Sequence, residues 1–367
     1  MRNIHLVSPD LFERPGGIAR ISRATSHAMA SWARSRDHHL HVHVLYDAPD
    51  APRTPHVPDD ATFHGYGRSR VALGRGILQA RLAEAMPFFV FSHVNLATLA
   101  LPFPRVPYAI IAHGIEVWSP LSATRTAALR RASRVWSVSD YTGRIVRALH
   151  GVVPSRGRTL VNCIDPLWSS SVDASVVDDG PPYFLLVSRL GNFEEQKGVG
   201  HTIHAFALAA DRGWIPANAE LHIVGDGPQR QSYEGEARRT RHGARIRFLG
   251  RVDDATLQRE YARCQLFVLP SGKEGFGLVF LEAMANGKAV IAAAAGAAPE
   301  VVSNEETGLI VPYGDVGAIA AAMSRLSRDG AWRRELGARG RRAVETSFSY
   351  AHYEREVHAE LDFLRGL

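Results

Sequence analysis

Short apolar runs that alternate with helical patterns constrain the fold of this chain more than any other feature. Each run is three to six residues long and is followed by a turn signal. Buried parallel strands have this character, and crossover helices separate them, so the pattern predicts parallel α/β sheets. In the first half, after a strand at the N-terminus, the predicted strands are 41–46, 88–91, 108–112 and 134–138. In the second half, they are 183–188, 220–224, 246–249, 266–269, 289–292 and 309–311.

The chain is long for a single core, because 367 residues favour two domains. Between residues 165 and 182 the periodic pattern gives way to Ser, Asp, Gly and Pro. We therefore expect an N-terminal domain over 1–165, a linker over 166–182 and a second domain over 183–349. A last helix would occupy 350–367. Doubly wound domains of this kind bind ligands outside the carboxyl ends of their strands.

Composition narrows the class of protein without identifying it. Apolar residues make up 46% and charged residues 22%, as in an ordinary globular protein. No apolar run is long enough to span a bilayer, and the N-terminus lacks the apolar region of a signal peptide. The two cysteines, Cys163 and Cys264, suggest no disulfide framework, so a reducing cytoplasm is expected. The net charge of +6 comes without an aromatic-basic nucleic-acid signature or zinc spacing, so no nucleic-acid partner is expected.

Residues 271–290 contain the motif that bears most directly on function. Glu274 and Glu282 stand eight positions apart, with a glycine-rich turn and an apolar helical pattern between them. A glycine turn at a helix start exposes backbone N–H groups, and the helix dipole favours an anion there. The residues of this turn and helix start are Gly275, Phe276, Gly277 and Leu278. Carboxylates accept hydrogen bonds from hydroxyls, so the pattern predicts a ligand that joins a phosphate to a hydroxyl-rich group.

Two cations and a pair of glycines supply further candidate phosphate contacts. Arg189 and Lys197 lie at or just past the carboxyl end of a predicted strand, where both can meet a phosphate. Such cations stabilise the charge that builds on a diphosphate leaving group. Gly16 and Gly17 follow the first strand and precede a helix over 18–34, so they can present N–H groups to a distal phosphate.

The segment 271–290 resembles the glutamate–seven–glutamate motif of retaining glycosyltransferases of the GT-B fold, most closely glycosyltransferase family 4. The resemblance implies two Rossmann-like domains facing a cleft, with the last helix returning to the first domain. It implies that Glu274 contacts the donor sugar and Glu282 the nucleotide ribose. The segment 187–198 resembles the family element whose arginine and lysine bind the donor diphosphate, here Arg189 and Lys197.

Two more segments resemble family elements. The loop around Arg251 and Val252 resembles the one that packs beside the nucleotide base. His113 ends a predicted strand and resembles the family histidine near the donor sugar and the acceptor. The alternative for His113 is an ordinary hydrogen-bonded histidine at a strand end.

The resemblance implies a retaining glycosyltransferase that moves a sugar from a nucleoside-diphosphate sugar, such as a GDP- or UDP-hexose, to a glycan, lipid-linked or small-molecule acceptor. No Asp-x-Asp follows a predicted strand, and the two cations can replace a metal, so no metal or cofactor is expected. A catalytically inactive carbohydrate- or nucleotide-binding scaffold and a related GT-B phosphorylase remain alternatives. An NAD-dependent oxidoreductase is disfavoured because residues 15–20 lack Gly-x-Gly-x-x-Gly.

Residues 68–82 combine four arginines with apolar side chains. One interpretation is a helix that lies on an anionic membrane surface, which would place the protein at the inner face of the membrane. The other, which we favour from sequence, is the exposed basic face of an ordinary domain helix. The arginines are Arg68, Arg70, Arg75 and Arg81.

Overall fold

The computed structural model describes residues 3–13, 16–51, 56–83, 87–103, 105–168, 180–192 and 195–366. The chain divides into two compact units. Unit 1 comprises Met1–Asp165 together with Ser349–Leu367, and unit 2 comprises Pro166–Phe348. Most of the predicted linker, 169–179, lies outside the described residues.

The described part of unit 1 contains one parallel sheet of seven strands in the order β3-β2-β1-β4-β5-β6-β7. The strands are β1 (Asn3–Ser8), β2 (His39–Val44), β3 (Thr62–Gly65), β4 (Phe88–Phe91), β5 (Tyr108–Ala112), β6 (Arg134–Ser137) and β7 (Gly157–Thr159). The helices are α1 (Gly17–Arg34), α2 (Arg70–Ala83), α3 (Val94–Ala97), α4 (Ala123–Arg131), α5 (Asp140–His150) and, from the end of the chain, α13 (Tyr350–Arg365). Every residue of β4 and β5 is buried, as expected of parallel strands covered on both faces.

The described part of unit 2 contains a six-stranded parallel sheet in the order β10-β9-β8-β11-β12-β13. The strands are β8 (Tyr183–Val187), β9 (Glu220–Val224), β10 (Ile246–Gly250), β11 (Leu266–Leu269), β12 (Val290–Ala293) and β13 (Gly308–Val311). The helices are α6 (Val199–Asp211), α7 (Arg230–Arg239), α8 (Asp254–Arg263), α9 (Leu278–Ala285), α10 (Ala298–Val301), α11 (Val316–Arg328) and α12 (Gly330–Ser347).

Both sheets therefore have the doubly wound strand order, and the predicted α/β fold class is confirmed. The order reverses between β1 and β4 in unit 1 and between β8 and β11 in unit 2. Loops that follow two strands on either side of such a reversal diverge and leave a crevice at the carboxyl edge of the sheet. In unit 2 those two loops carry Lys197 and Glu274.

Three details of unit 1 differ from the sequence-based expectation. Strands β3 and β7 were not predicted, because TFHG and GRT lack an apolar run. Helix α2 begins at Arg70, and Arg68 precedes it with a positive φ of 72°. Arg68 is therefore a loop residue, and it pairs with Glu13 at 2.6 Å.

Candidate active site

Glu274 lies in the loop after β11, four positions before the first residue of α9. Gly277 is the N-cap of α9 with φ 97°, a conformation that side chains other than glycine rarely adopt. A Cβ at this position would lie 2.4 Å from the Phe280 ring and 3.1 Å from the Cγ of Glu274. The glycine is thus needed both for the turn and for the close packing of Glu274. Among the described residues no side chain caps this helix start, and N–H groups at such a position favour an anion.

Lys197 and Glu274 form an ion pair across the switch point of unit 2. The Lys197 Nζ lies 2.7 Å from the Glu274 Oε2, and their side chains are only 15% and 12% exposed. The loops that carry them are joined by the backbone, because the Gly272 N–H donates to the Gln196 carbonyl at 2.7 Å. A Cβ on Gly198 would lie 2.4 Å from the Pro270 carbonyl oxygen, so the close approach of the loops also requires glycine.

Arg189 lies two residues beyond the end of β8, in an exposed position. Its loop is held by the turn that follows β9, where Leu190 N–H donates to the Asp226 carbonyl at 3.0 Å. A Cβ on Gly225 would lie 1.7 Å from the Ser188 carbonyl oxygen. Asp226 itself accepts from the Gly227 N–H at 2.8 Å. The Gly-Asp-Gly turn at 225–227 therefore shapes the arginine loop.

Arg251 and Val252 follow β10 on the same edge of the sheet. Arg251 is exposed and Val252 is half-buried. The Gly250 carbonyl before them accepts from the Gly225 N–H at 2.8 Å, which connects this loop to the turn after β9. The next residue, Asp253, caps α8 by accepting from the Thr256 N–H at 2.7 Å.

Glu282 lies in α9 and is 4% exposed. Its Oε2 accepts a hydrogen bond of 2.8 Å from the hydroxyl of Tyr261, a residue of α8 that is fully buried. Sequence reasoning did not identify Tyr261, because nothing in the pattern of α8 marks one buried tyrosine as the partner of a carboxylate 21 positions away.

In unit 1 the glycine pair lies at the start of α1. Gly16 is the N-cap and Gly17 the first helical residue, and no described side chain caps the first turn. The preceding loop is organised by the buried carboxylate of Asp47, which accepts from the N–H groups of Leu11, Phe12 and Glu13 at 2.9–3.4 Å. Sequence reasoning also missed Asp47. The segment leading to the glycine pair includes Arg14 and Pro15, which lie outside the described residues.

His113 follows β5 and is partly buried. Its Nε2 lies 2.7 Å from the Ser92 carbonyl oxygen. A carbonyl can only accept, so Nε2 carries the proton and Nδ1 keeps its lone pair. Burial lowers the pKa of His113 to about 4, although the Ser92 carbonyl opposes this shift. His113 is therefore neutral at pH 7.

Two kinds of feature are absent from the described residues. No cluster of three or more His, Cys, Asp or Glu in these parts of the chain has the arrangement of a metal site. None of the described helices is both long enough and apolar enough to cross a membrane.

Two doubly wound units, one of them with a carboxylate–lysine pair at its switch point, define a protein of the GT-B class. A model of the family described as glycosyl transferases group 1 matches residues 171–343. The chain is 33% identical to the phosphatidyl-myo-inositol mannosyltransferase of Mycolicibacterium smegmatis over 350 residues. The aligned region covers 89% of this chain and 85% of that protein. The chain belongs to the glycosyl transferases group 1 family, and so to the glycosyltransferase family 4 type.

Two further comparisons are more limited. The chain is 32% identical to the N-acetyl-alpha-D-glucosaminyl L-malate synthase of Bacillus anthracis over 163 residues, or 44% of this chain and 41% of that enzyme. The chain thus spans less than half the length of that relative. The crystal structure of Anabaena HepE in complex with UDP matches with a TM-score of 0.78 and 20% identity, over 99% of this chain and 100% of that chain.

Proposed function

We propose that this protein is a retaining glycosyltransferase that transfers a hexose from a nucleoside-diphosphate sugar to a hydroxyl of a lipid-linked or glycan acceptor, without a metal. The Lys197–Glu274 pair at the switch point carries the proposal, because a cation that can bind a diphosphate and a carboxylate that can accept from sugar hydroxyls lie side by side. The names of two compared proteins support the proposed donor and acceptor classes. One is named a mannosyltransferase of phosphatidyl-myo-inositol, and HepE was solved with UDP.

Each part of the donor has a proposed partner. Glu274 accepts hydrogen bonds from the hexose hydroxyls, and Arg189 and Lys197 bind the diphosphate. Glu282 accepts from the ribose hydroxyls, and the base lies beside the loop of Arg251 and Val252. The N–H groups of the α9 turn and of the α1 glycine pair are further phosphate donors. These residues are Gly275, Phe276, Gly277, Leu278, Gly16 and Gly17.

The proposed reaction is a displacement on one face of the sugar. The bond between C1 and the phosphate oxygen breaks, and the acceptor oxygen bonds to C1 from the same side. The acceptor proton passes to the departing phosphate. Because the acceptor bonds to C1 directly, no covalent enzyme intermediate forms. Negative charge grows on the diphosphate in the transition state, and Arg189 and Lys197 stabilise it there more than in the ground state.

His113 is proposed to contact the acceptor or the donor sugar as a neutral imidazole. Its Nε2 is held by the Ser92 carbonyl, so Nδ1 is the nitrogen that can accept a hydrogen bond from a hydroxyl. With a pKa of about 4 it does not carry a positive charge at neutral pH, and it cannot add to the cationic diphosphate site.

A panel of UDP- and GDP-hexoses with purified protein tests the proposal by release of the free nucleoside diphosphate. We expect turnover with at least one donor, retained in EDTA. Arg189→Ala and Lys197→Ala should each lower kcat by about 100- to 1000-fold, the usual cost of removing one electrostatic donor from a developing charge. Nucleotide binding without turnover for any donor would favour the inactive scaffold. Loss of activity in EDTA with recovery in Mn²⁺ or Mg²⁺ would refute the metal-free mechanism.

We also propose that α2 docks unit 1 on an anionic membrane, where a lipid-linked acceptor would be found. Leu73 and Ile77 face the core, whereas Val71, Leu78 and Leu82 are 66%, 43% and 75% exposed. Positions 71, 75, 78 and 82 follow helical spacing, so the exposed apolar side chains share a face with Arg75. Such a surface buries apolar groups in the interface while arginines meet lipid phosphates.

Sedimentation with anionic vesicles tests this docking. Binding should fall with salt and after Arg68, Arg70, Arg75 and Arg81 are all replaced by Gln, because each basic residue near an anionic surface contributes about 1 kcal/mol. A control removes the same charge from α12 through Gln at Arg334, Arg339, Arg341 and Arg342. Equal losses of vesicle binding in the two variants would indicate that binding depends on net charge alone. Wild-type protein that stays in the supernatant at low salt would favour a soluble acceptor.

A further inference from the structure

The buried tyrosine of α8 touches the carboxylate that the proposed function assigns to the ribose. Tyr261 donates to the Glu282 Oε2 at 2.8 Å, and both residues are almost entirely inaccessible to solvent. A carboxylate has two oxygens and about four lone-pair sites, so it can accept hydrogen bonds from a tyrosine and from a ligand hydroxyl at the same time. The bond from Tyr261 therefore helps to fix the orientation of the carboxylate.

The ring of Tyr261 is held in place by aromatic neighbours. Its centroid lies 5.9 Å from that of Trp168, at an interplanar angle of 81°, and 5.6 Å from that of Phe267 in β11. Both distances are typical of favourable aromatic pairs. The hydroxyl is thus fixed by packing as well as by its hydrogen bond.

Helix α8 also begins at the loop expected to lie beside the base. Arg251 and Val252 directly precede Asp253, whose carboxylate caps the helix. The base loop therefore leads directly into the first turn of α8, and Tyr261 lies in the last turn of the same helix. The helix connects the proposed base contact to the proposed ribose contact.

We propose that Tyr261 is a positioning residue that holds Glu282 in the orientation that accepts hydrogen bonds from ribose hydroxyls, and that it thereby sets the preference for ribonucleotides over deoxyribonucleotides. This inference rests on the proposed function, since Glu282 must face the ribose. Tyr261 does not touch the substrate in this proposal. It acts through Glu282.

The test measures the affinity of the full chain for UDP and GDP and for their 2′-deoxy and 3′-deoxy forms by calorimetry. Hydrogen bonds to charged groups are among the stronger ones, so wild type should prefer the ribonucleotide by about 10- to 100-fold. Tyr261→Phe should reduce this preference to a few-fold by weakening ribonucleotide binding, with deoxynucleotide affinity nearly unchanged. Tyr261→4-aminophenylalanine keeps the shape and a weaker donor, so an intermediate preference is expected even if the Phe variant does not fold.

Tyr108→Phe is the matched control. Tyr108 is a buried tyrosine of unit 1 whose hydroxyl donates to the Ala128 carbonyl at 2.7 Å. Its loss should lower Tm without changing the preference for ribose. The proposal is overturned if both Tyr261 variants keep the wild-type preference, or if the Phe variant weakens ribo- and deoxyribonucleotides equally. A wild-type protein that binds no nucleoside diphosphate, or binds both sugars alike, would instead refute the proposed function and this inference together.

Discussion

At the scale of single residues, the ion pair between Lys197 and Glu274 determines how the proposed site responds to mutation. Its two side chains are mostly buried, so the carboxylate neutralises a cation in a place where water screens little. A diphosphate must therefore share the lysine with Glu274. Removal of the carboxylate frees the whole charge of Lys197 for the incoming anion.

We accordingly predict that Glu274→Gln abolishes measurable transfer but binds free UDP or GDP more tightly than wild type. The sugar loses its charged acceptor, while the diphosphate gains an unshared cation. Calorimetry and a turnover assay measure the two effects separately. Glu305→Gln, which breaks an exposed pair with Arg325, should change neither. Weaker nucleotide binding in Glu274→Gln would show that the carboxylate does not compete for Lys197.

At the scale of a single element, the start of α9 depends on a glycine at position 277. Gly277 has φ 97° and no room for a Cβ, whereas Gly287 has φ 66° with nothing within 4 Å of the added atom. The two positions share the backbone cost of a left-handed residue, roughly 1–2 kcal/mol, and differ in steric clash.

Gly277→Ala should therefore lower Tm more than Gly287→Ala, and it should also reduce kcat because the displaced Phe280 and Glu274 lie next to the new methyl group. Thermal denaturation and the turnover assay check both parts. Equal losses of Tm in the two variants would mean that the loop relaxes away from the clash.

The sheet of unit 1 carries an unusual row of histidines. The rings of His5, His41, His43 and His64 lie on β1, β2 and β3, with centroids 4.6–6.4 Å apart in the pairs that contact. His43 also bonds to the Tyr66 hydroxyl at 2.8 Å. Burial, and then repulsion from His5, His64 and His41, holds the pKa of His43 well below its usual 6.5.

Acidification should therefore destabilise unit 1. A folded-state pKa below the unfolded value means that the unfolded chain binds more protons, so stability present above pH 6.5 is lost as the pH falls toward the folded-state pKa. The lowered pKa of His113 acts in the same direction down to about pH 4.

Thermal denaturation from pH 7 to 5 should show a falling Tm. His43→Gln should make the slope shallower, while His242→Gln, outside this row, should not. An unchanged slope in His43→Gln would assign the effect to other groups.

At the scale of the whole molecule, local pattern predicted most of the strands but not the contacts between them. The apolar runs marked β4, β5 and β11 because buried parallel strands must be apolar on both faces. The edge strand β7 was not predicted, because its sequence GRT has no such run. The Lys197–Glu274 bond joins residues 77 positions apart, and the bond from Tyr261 to Glu282 joins a residue of α8 to a residue of α9. Periodicity within a segment carries no information about either.

The two pieces of unit 1 lie at opposite ends of the chain, and their packing leads to the last prediction. Helix α13 buries Tyr353, Val357, Leu361 and Leu364. Its Glu360 accepts from the Trp136 indole at 3.0 Å and pairs with Arg134 at 3.1 Å.

Deletion of residues 349–367 should unfold unit 1 and spare unit 2. Four buried side chains contribute about 6–12 kcal/mol, comparable to the whole stability of a domain. Limited proteolysis should then digest residues before 166 and leave a resistant fragment near 166–348, and a synthetic 349–367 peptide should restore protection. Glu354→Gln with Arg355→Gln, two changes on the less buried side of α13, should leave the full chain resistant. A truncated protein whose unit 1 stays resistant would mean that the first 165 residues fold without the helix, and that α13 only adds to a core already complete.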